Sequence, residues 1–150
     1  MDQSACYDII DHMILKEKLK HIGFDTSAMS LMDKYLGNRK QYVELNTQQS
    51  DILLTGDQSV MQGSTISTLL YSIYMLDLPM ITHKVKHFSH YEEYCCGQGY
   101  QTTFIDDCYG VIEGEKYDIW PKIRNYVKLM ELYYTSNHLK INISKTQIMV

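Results

Sequence analysis

Residues 102 to 113 read TTFIDDCYGVIE and set Asp106 beside Asp107 in a segment whose other members favour buried β-strand. Aspartate fits strand interiors poorly, and adjacent carboxylates repel each other. A divalent cation removes that penalty, because Mg²⁺ is a hard ion that takes carboxylate, water and phosphate oxygens. Two such ions about 3.5–4 Å apart activate an attacking hydroxyl and stabilise a leaving oxygen in phosphoryl transfer. Neighbouring strand residues point to opposite faces, so one carboxylate can bridge metals while the other supports from the side. The cage then needs a third carboxylate from elsewhere in the chain. The plainer alternative is an Asp-Asp turn that hydrogen-bonds its own backbone.

The elements around the pair follow from periodicity. Ile10, Ile14, Leu15, Leu19 and Ile22 recur at helical spacing, with Asp8 or Asp11 in the first turn and Gly23 as the stop. A second helix is capped by Asp25, Thr26 or Ser27, turns Met29, Met32 and Leu36 inward, and ends at Gly37. RKQYVEL alternates, NTQQS supplies a turn and DILL returns, which predicts a β-hairpin. QGSTISTLLYSIYMLDLP leads from a Gly-Ser turn into a helix that buries Ile66, Leu69, Leu70, Ile73 and Tyr74 and closes at Pro79. Residues 80–100 lack any period and read as an irregular insertion. One strand then runs to Ile105 and another from Cys108, with the aspartates at the bend. Ile119, Ile123, Val127, Met130 and Tyr134 mark a helix that tolerates Pro121 in its first turn. LKINISKTQIMV closes as strand, turn and strand. The expected class is α+β with antiparallel pairing.

At 150 residues, with 45% apolar and 21% charged content, the chain fits one globular domain. The formal charge of −4 argues against a free-standing nucleic-acid binder, which carries a basic surface. Cys6, Cys95, Cys96 and Cys108 form no CxxC pair, and no leader or membrane span is visible, so a soluble intracellular protein is expected, in nucleus or cytoplasm. His83, His87, His90, Cys95 and Cys96 match no standard zinc spacing and read as a polar loop.

Several stretches resemble the reverse transcriptases. FIDD resembles the F/Y-x-D-D hairpin called motif C, and MDQSACYDIIDH is similar to motif A of the non-LTR retrotransposon enzymes. YLGNRKQYVEL resembles the stretch between motifs A and B, SVMQGSTISTLLYSIYMLDLP resembles motif B, and LKINISKTQIMV resembles motif D. The ordered set covers nearly all of residues 1–150 and implies the palm of such an enzyme, an antiparallel sheet backed by helices, with the start of the fingers and the thumb absent. Both ends read as cut, and the acidic balance fits a palm separated from basic fingers and thumb.

The resemblance also implies roles. Asp2, Asp106 and Asp107 would hold Mg²⁺, or Mn²⁺ in its place, for transfer of a nucleotide from a dNTP to the 3′-OH of a DNA primer on an RNA template. Tyr7 would stand against the sugar of the incoming nucleotide and exclude a 2′-OH. Gln62, Gly63 and Ser64 would form the motif B turn near template and nucleotide, and Lys145 would serve the departing pyrophosphate as proton donor or charge partner. The chain departs from the family at Ser59 and Met61, where Gly and Pro are usual, and at Thr68, where Pro is common. A group II intron-type maturase shares these motifs. An inactive remnant of such an element is the non-enzymatic rival.

Overall fold

A computed structural model describes residues 2–3, 6–79, 99–104 and 107–149, with the backbone alone at 2–3, 99–102 and 104. The chain is α+β, and among the described residues its strands pair antiparallel in four two-stranded sheets. It divides into two compact units, one of residues 7–74 and the other of residues 1–6 and 75–150.

In the unit of residues 7–74, α1 (His12–His21) starts where the Asp11 carboxylate accepts the amides of Met13 and Ile14 at 2.8 and 3.1 Å. That is helix capping, so the charge expected in the first turn is a cap. α2 (Thr26–Leu36) starts likewise, with the Asp25 carboxylate 2.8 Å from the Ala28 amide. α1 packs on α2 and on α3 (Thr65–Tyr74), and Leu15, Leu19, Leu36, Leu70, Tyr71 and Tyr74 are buried. The buried positions of α3 are Ser67, Leu70, Tyr71 and Tyr74, whereas Ile66 and Leu69 are exposed. The expected apolar stripe is therefore rotated by about one residue. Tyr71 and Tyr74 bury more area than Ile66 and Leu69 would, and apolar area sets which face turns inward. The helix ends at Tyr74, five residues before Pro79.

Between α2 and α3 the expected hairpin forms as two short pairs. β2 (Lys40–Gln41) pairs with β5 (Leu53–Leu54), and β3 (Glu44–Leu45) pairs with β4 (Gln48–Gln49). Asn46, at φ +56°, and Thr47 make the turn, so the two glutamines belong to the return strand rather than to the turn. Every strand residue here is exposed, and alternation in this hairpin does not separate an inner from an outer face.

In the other unit, β6 (Gly99–Phe104) and β7 (Asp107–Ile112) form the hairpin that carries the aspartates. Gly99 and Tyr100, expected in the irregular insertion, begin β6; residues 80–98, with the histidines and Cys95 and Cys96, lie outside the described residues. β7 is one-sided. Cys108 is buried while Tyr109 and Val111 are exposed, which corrects the reading of this run as buried β-strand. α4 (Ile119–Ser136) packs on β7 through a face of Tyr126, Met130, Tyr133 and Tyr134. Ile123 and Val127, expected inside, are half-buried instead; they line an open groove of about 460 Å³ with Trp120, Arg124 and Ile148. β8 (Ile141–Asn142) is followed by a turn, and residues 146–149 form no second strand.

β8 pairs with β1 (Asp2–Gln3), in register Asp2↔Asn142 and Gln3↔Ile141. Position alone would suggest a frayed start for the chain. Instead the backbone of Asp2 is fixed by a strand from the far end of the sequence.

Candidate active site

The unit with the hairpin gathers the acidic candidates. Phe104, the last residue of β6, pairs with Asp107, the first residue of β7. Asp106 lies outside the described residues. β1 runs beside β7 as well as pairing with β8, so the backbone of Asp2 and the strand that Asp107 begins are neighbours. Lys145 lies in the turn after β8: its amide closes a turn on the Asn142 carbonyl at 3.2 Å, and Asn142 is the register partner of Asp2.

Asp107 differs from most of the described aspartates. Asp11 and Asp25 cap helices, Asp33 pairs with Lys16 at 2.6 Å, Asp118 with Lys122, and Asp77 accepts the Tyr133 hydroxyl at 2.7 Å. Asp107 is exposed at the start of β7, and its carboxylate makes no hydrogen bond or ion pair with the side chains of the described residues. An exposed carboxylate is the kind of donor a hard divalent cation takes, and the chemistry of the candidate set fits Mg²⁺. Among the described residues no three His, Cys, Asp or Glu side chains converge on a metal; of the three expected ligands, Asp107 alone enters with its side chain.

The unit of residues 7–74 holds the other candidates. Residues 7–12 run antiparallel to 57–60, joined by Val60 N–H to Tyr7 O at 2.8 Å, Ser59 N–H to Ile10 O at 2.9 Å and His12 N–H to Asp57 O at 3.0 Å. This ladder docks the motif A segment against the motif B turn. The half-buried Tyr7 ring lies 5.6 Å from that of buried Tyr71, and its hydroxyl is 3.4 Å from the Thr68 hydroxyl. Proline at position 68 would offer no such partner. Gly63 adopts φ +81° in the turn, and a Cβ built there meets nothing within 4 Å, so the glycine serves backbone conformation rather than space. Ser64 accepts the Tyr35 hydroxyl at 2.8 Å, and the buried Ser67 hydroxyl donates to the Met61 carbonyl at 2.6 Å. Gln62 is exposed, and its amide nitrogen reaches both carboxylate oxygens of Asp8, at 3.3 and 3.4 Å.

Ser59 carries the departure from the family pattern, and its geometry explains why glycine is usual there. Its φ is +82°, a region that favours glycine. The strained backbone is held on three sides. The Ser59 carbonyl accepts His12 Nε2 and Arg39 Nη2, each at 2.6 Å, and the Ser59 hydroxyl lies 3.0 Å from the same Arg39 nitrogen. Arg39 also donates from Nε to Leu36 O at 3.3 Å, so it braces the turn. Local sequence offered no signal for His12, Arg39, Asp8, Thr68 or Tyr35 in these roles, since each partner lies 20 or more positions away.

Helices with small antiparallel sheets are consistent with an incomplete α+β palm. Residues 1–150 match the family described as Reverse transcriptase (RNA-dependent DNA polymerase), and the chain belongs to it. Among individually curated proteins, none matches the chain. By family the protein is an RNA-directed DNA polymerase, a class that works on a template, a primer and dNTPs and uses divalent metal. Among the described residues, no helix is long and apolar enough to cross a membrane.

Proposed function

We propose that residues 1–150 are the palm, motifs A to D, of a reverse transcriptase of the non-LTR retrotransposon type, with fingers and thumb supplied by further segments. It extends a DNA primer on an RNA template by attack of the primer 3′-OH on the α-phosphate of a dNTP. The observation that supports this reading is that β1, paired with β8, also lies close to β7, the strand that Asp107 begins. Asp2, Asp106 and Asp107 supply the hard oxygens for two Mg²⁺ ions. The ions, when bound, polarise the primer hydroxyl and neutralise charge on the leaving pyrophosphate. Tyr7 packs its ring where a ribose 2′-OH would project. Gln62, Gly63 and Ser64 form the turn that meets template and nucleotide, and Lys145 offers a proton or a charge to the pyrophosphate.

The test is primer extension by a complete enzyme carrying this palm, on an RNA template with Mg²⁺. Asp107→Asn keeps the shape and removes the charge, and extension should fall by at least about 100-fold, in line with the dependence of such transfer on positioned charge. Because Asp107 is exposed, the variant should melt with the parent. Extension within threefold of the parent would reject the assignment.

A further inference from the structure

We infer that copies of this chain associate head to tail, the β2–β5 hairpin of one copy seating in the groove along α4 of a second. The inference is independent of the polymerase reading. The groove takes its apolar lining from Trp120, Ile123, Val127 and Ile148. Arg124 and Lys128 stand over it one helical turn apart, both exposed and in no ion pair among the described residues. Against these two cations the lining holds the single carboxylate of Glu131.

The hairpin has the complementary character. Between Tyr42 and Leu54 it exposes six large apolar side chains, Leu45 at 73% and Leu53 at 61% among them, and its charges there are the carboxylates of Glu44 and Asp51 alone. Glu44 accepts only the neutral Gln49 amide, at 3.2 Å, so its charge stays uncompensated. Scattered exposed apolar residues are ordinary, but six on one ribbon form the kind of patch that marks an interaction site. Charge selects the pairing. Hairpin against hairpin would oppose carboxylates to carboxylates, and groove against groove would oppose cations to cations, whereas hairpin against groove joins opposite signs over apolar floors. The groove, about 460 Å³, takes a few side chains of a ribbon rather than a whole face. The contact is therefore small, below about 1,200 Å² in total, and association is weak and concentration-dependent. Because the two surfaces differ, each contact leaves one hairpin and one groove open, and the series extends or closes into a ring.

The experiment is sedimentation of the purified chain at concentrations up to about 1 mM. Average mass should rise with concentration, and Trp120, the one tryptophan of the chain, should shift its emission to the blue as it is covered. Arg124→Glu with Lys128→Glu should weaken self-association about tenfold or more, and so should Leu45→Glu with Leu53→Glu. All four side chains are exposed, so both variants should keep the circular dichroism of the parent. Glu44→Gln with Asp51→Asn, which preserves the shape of the hairpin, should weaken association about threefold and serves if the leucine variant unfolds. Mixed together, the groove variant and the leucine variant retain one intact hairpin and one intact groove, and should form a one-to-one complex and nothing larger. A parent chain that stays monomeric at about 1 mM would overturn the inference. So would self-association of the groove variant at parental strength, or a mixture that forms no complex.

Discussion

Replacing Ser59 tests whether the turn before Gln62 is held under strain. A non-glycine residue in the left-handed region costs about 1–2 kcal/mol, and Ser59 sits there at φ +82°. Its hydroxyl, 3.0 Å from Arg39 Nη2, offsets about 1 kcal/mol of that cost. Ser59→Ala keeps the strain and loses the hydrogen bond, so it should destabilise by about 1 kcal/mol. Ser59→Gly loses the same bond and about 0.5–1 kcal/mol of backbone entropy, but it releases the strain. The glycine variant should thus lie near the parent and about 0.5–1 kcal/mol above the alanine variant. That order reverses the usual preference for alanine in regular structure. Ser59→Val should be the least stable of the series, because a β-branched side chain tolerates positive φ worst. Urea denaturation followed by circular dichroism gives the ranking, and 1 kcal/mol corresponds to about 2–4 °C in the melting temperature. An alanine variant as stable as the glycine variant would refute the strain and leave the hydrogen bond as the whole effect.

Gly110 lies on β7, where an added Cβ would fall 2.5 Å from the Tyr126 hydroxyl and 2.8 Å from Cζ. Gly110→Ala should therefore cost about 1–3 kcal/mol by thermal melt, and Tyr126→Phe in the same chain should recover part of it. Arg39→Lys should destabilise by about 1–2 kcal/mol in the same assay, because one ammonium cannot serve Leu36 O, Ser59 O and Ser59 Oγ together; parent-like stability would show the brace to be dispensable. In a complete enzyme containing this palm, Tyr7→Ala should admit ribonucleotides while keeping some DNA synthesis. Unchanged dNTP/rNTP discrimination would make Tyr7 a packing residue against Tyr71.

Features encoded within a turn or two of chain were legible in the sequence. Asp25, one of three expected caps, caps α2 because a short carboxylate reaches amides two or three residues on, and Gly23, at φ +102°, follows the end of α1 because a terminus there favours a residue without Cβ; Asp11, expected within the first turn of α1, proved to be its cap. The hairpin itself was legible, but its second strand begins at Asp107 rather than at Cys108. The order of motifs carried the family, and the match over residues 1–150 agrees with it.

Other features exist only once distant segments meet. Periodicity gave α3 an apolar stripe of the right width but the wrong rotation, because the competing faces differ in the tyrosine area they bury against α1. Nothing near Asp2 announced its pairing with Asn142; that ladder forms because α4 and the β6–β7 hairpin return the chain to its start. The glycine-like conformation of Ser59, braced by His12 and Arg39, and the grip of Asp8 on Gln62 are likewise long-range contacts. Local sequence specifies caps, turns and periods because their partners lie a few bonds away. It leaves helix rotation, strand partners and side-chain orientation at the site to the tertiary structure, where burial and hydrogen bonding between remote residues choose among locally equivalent states.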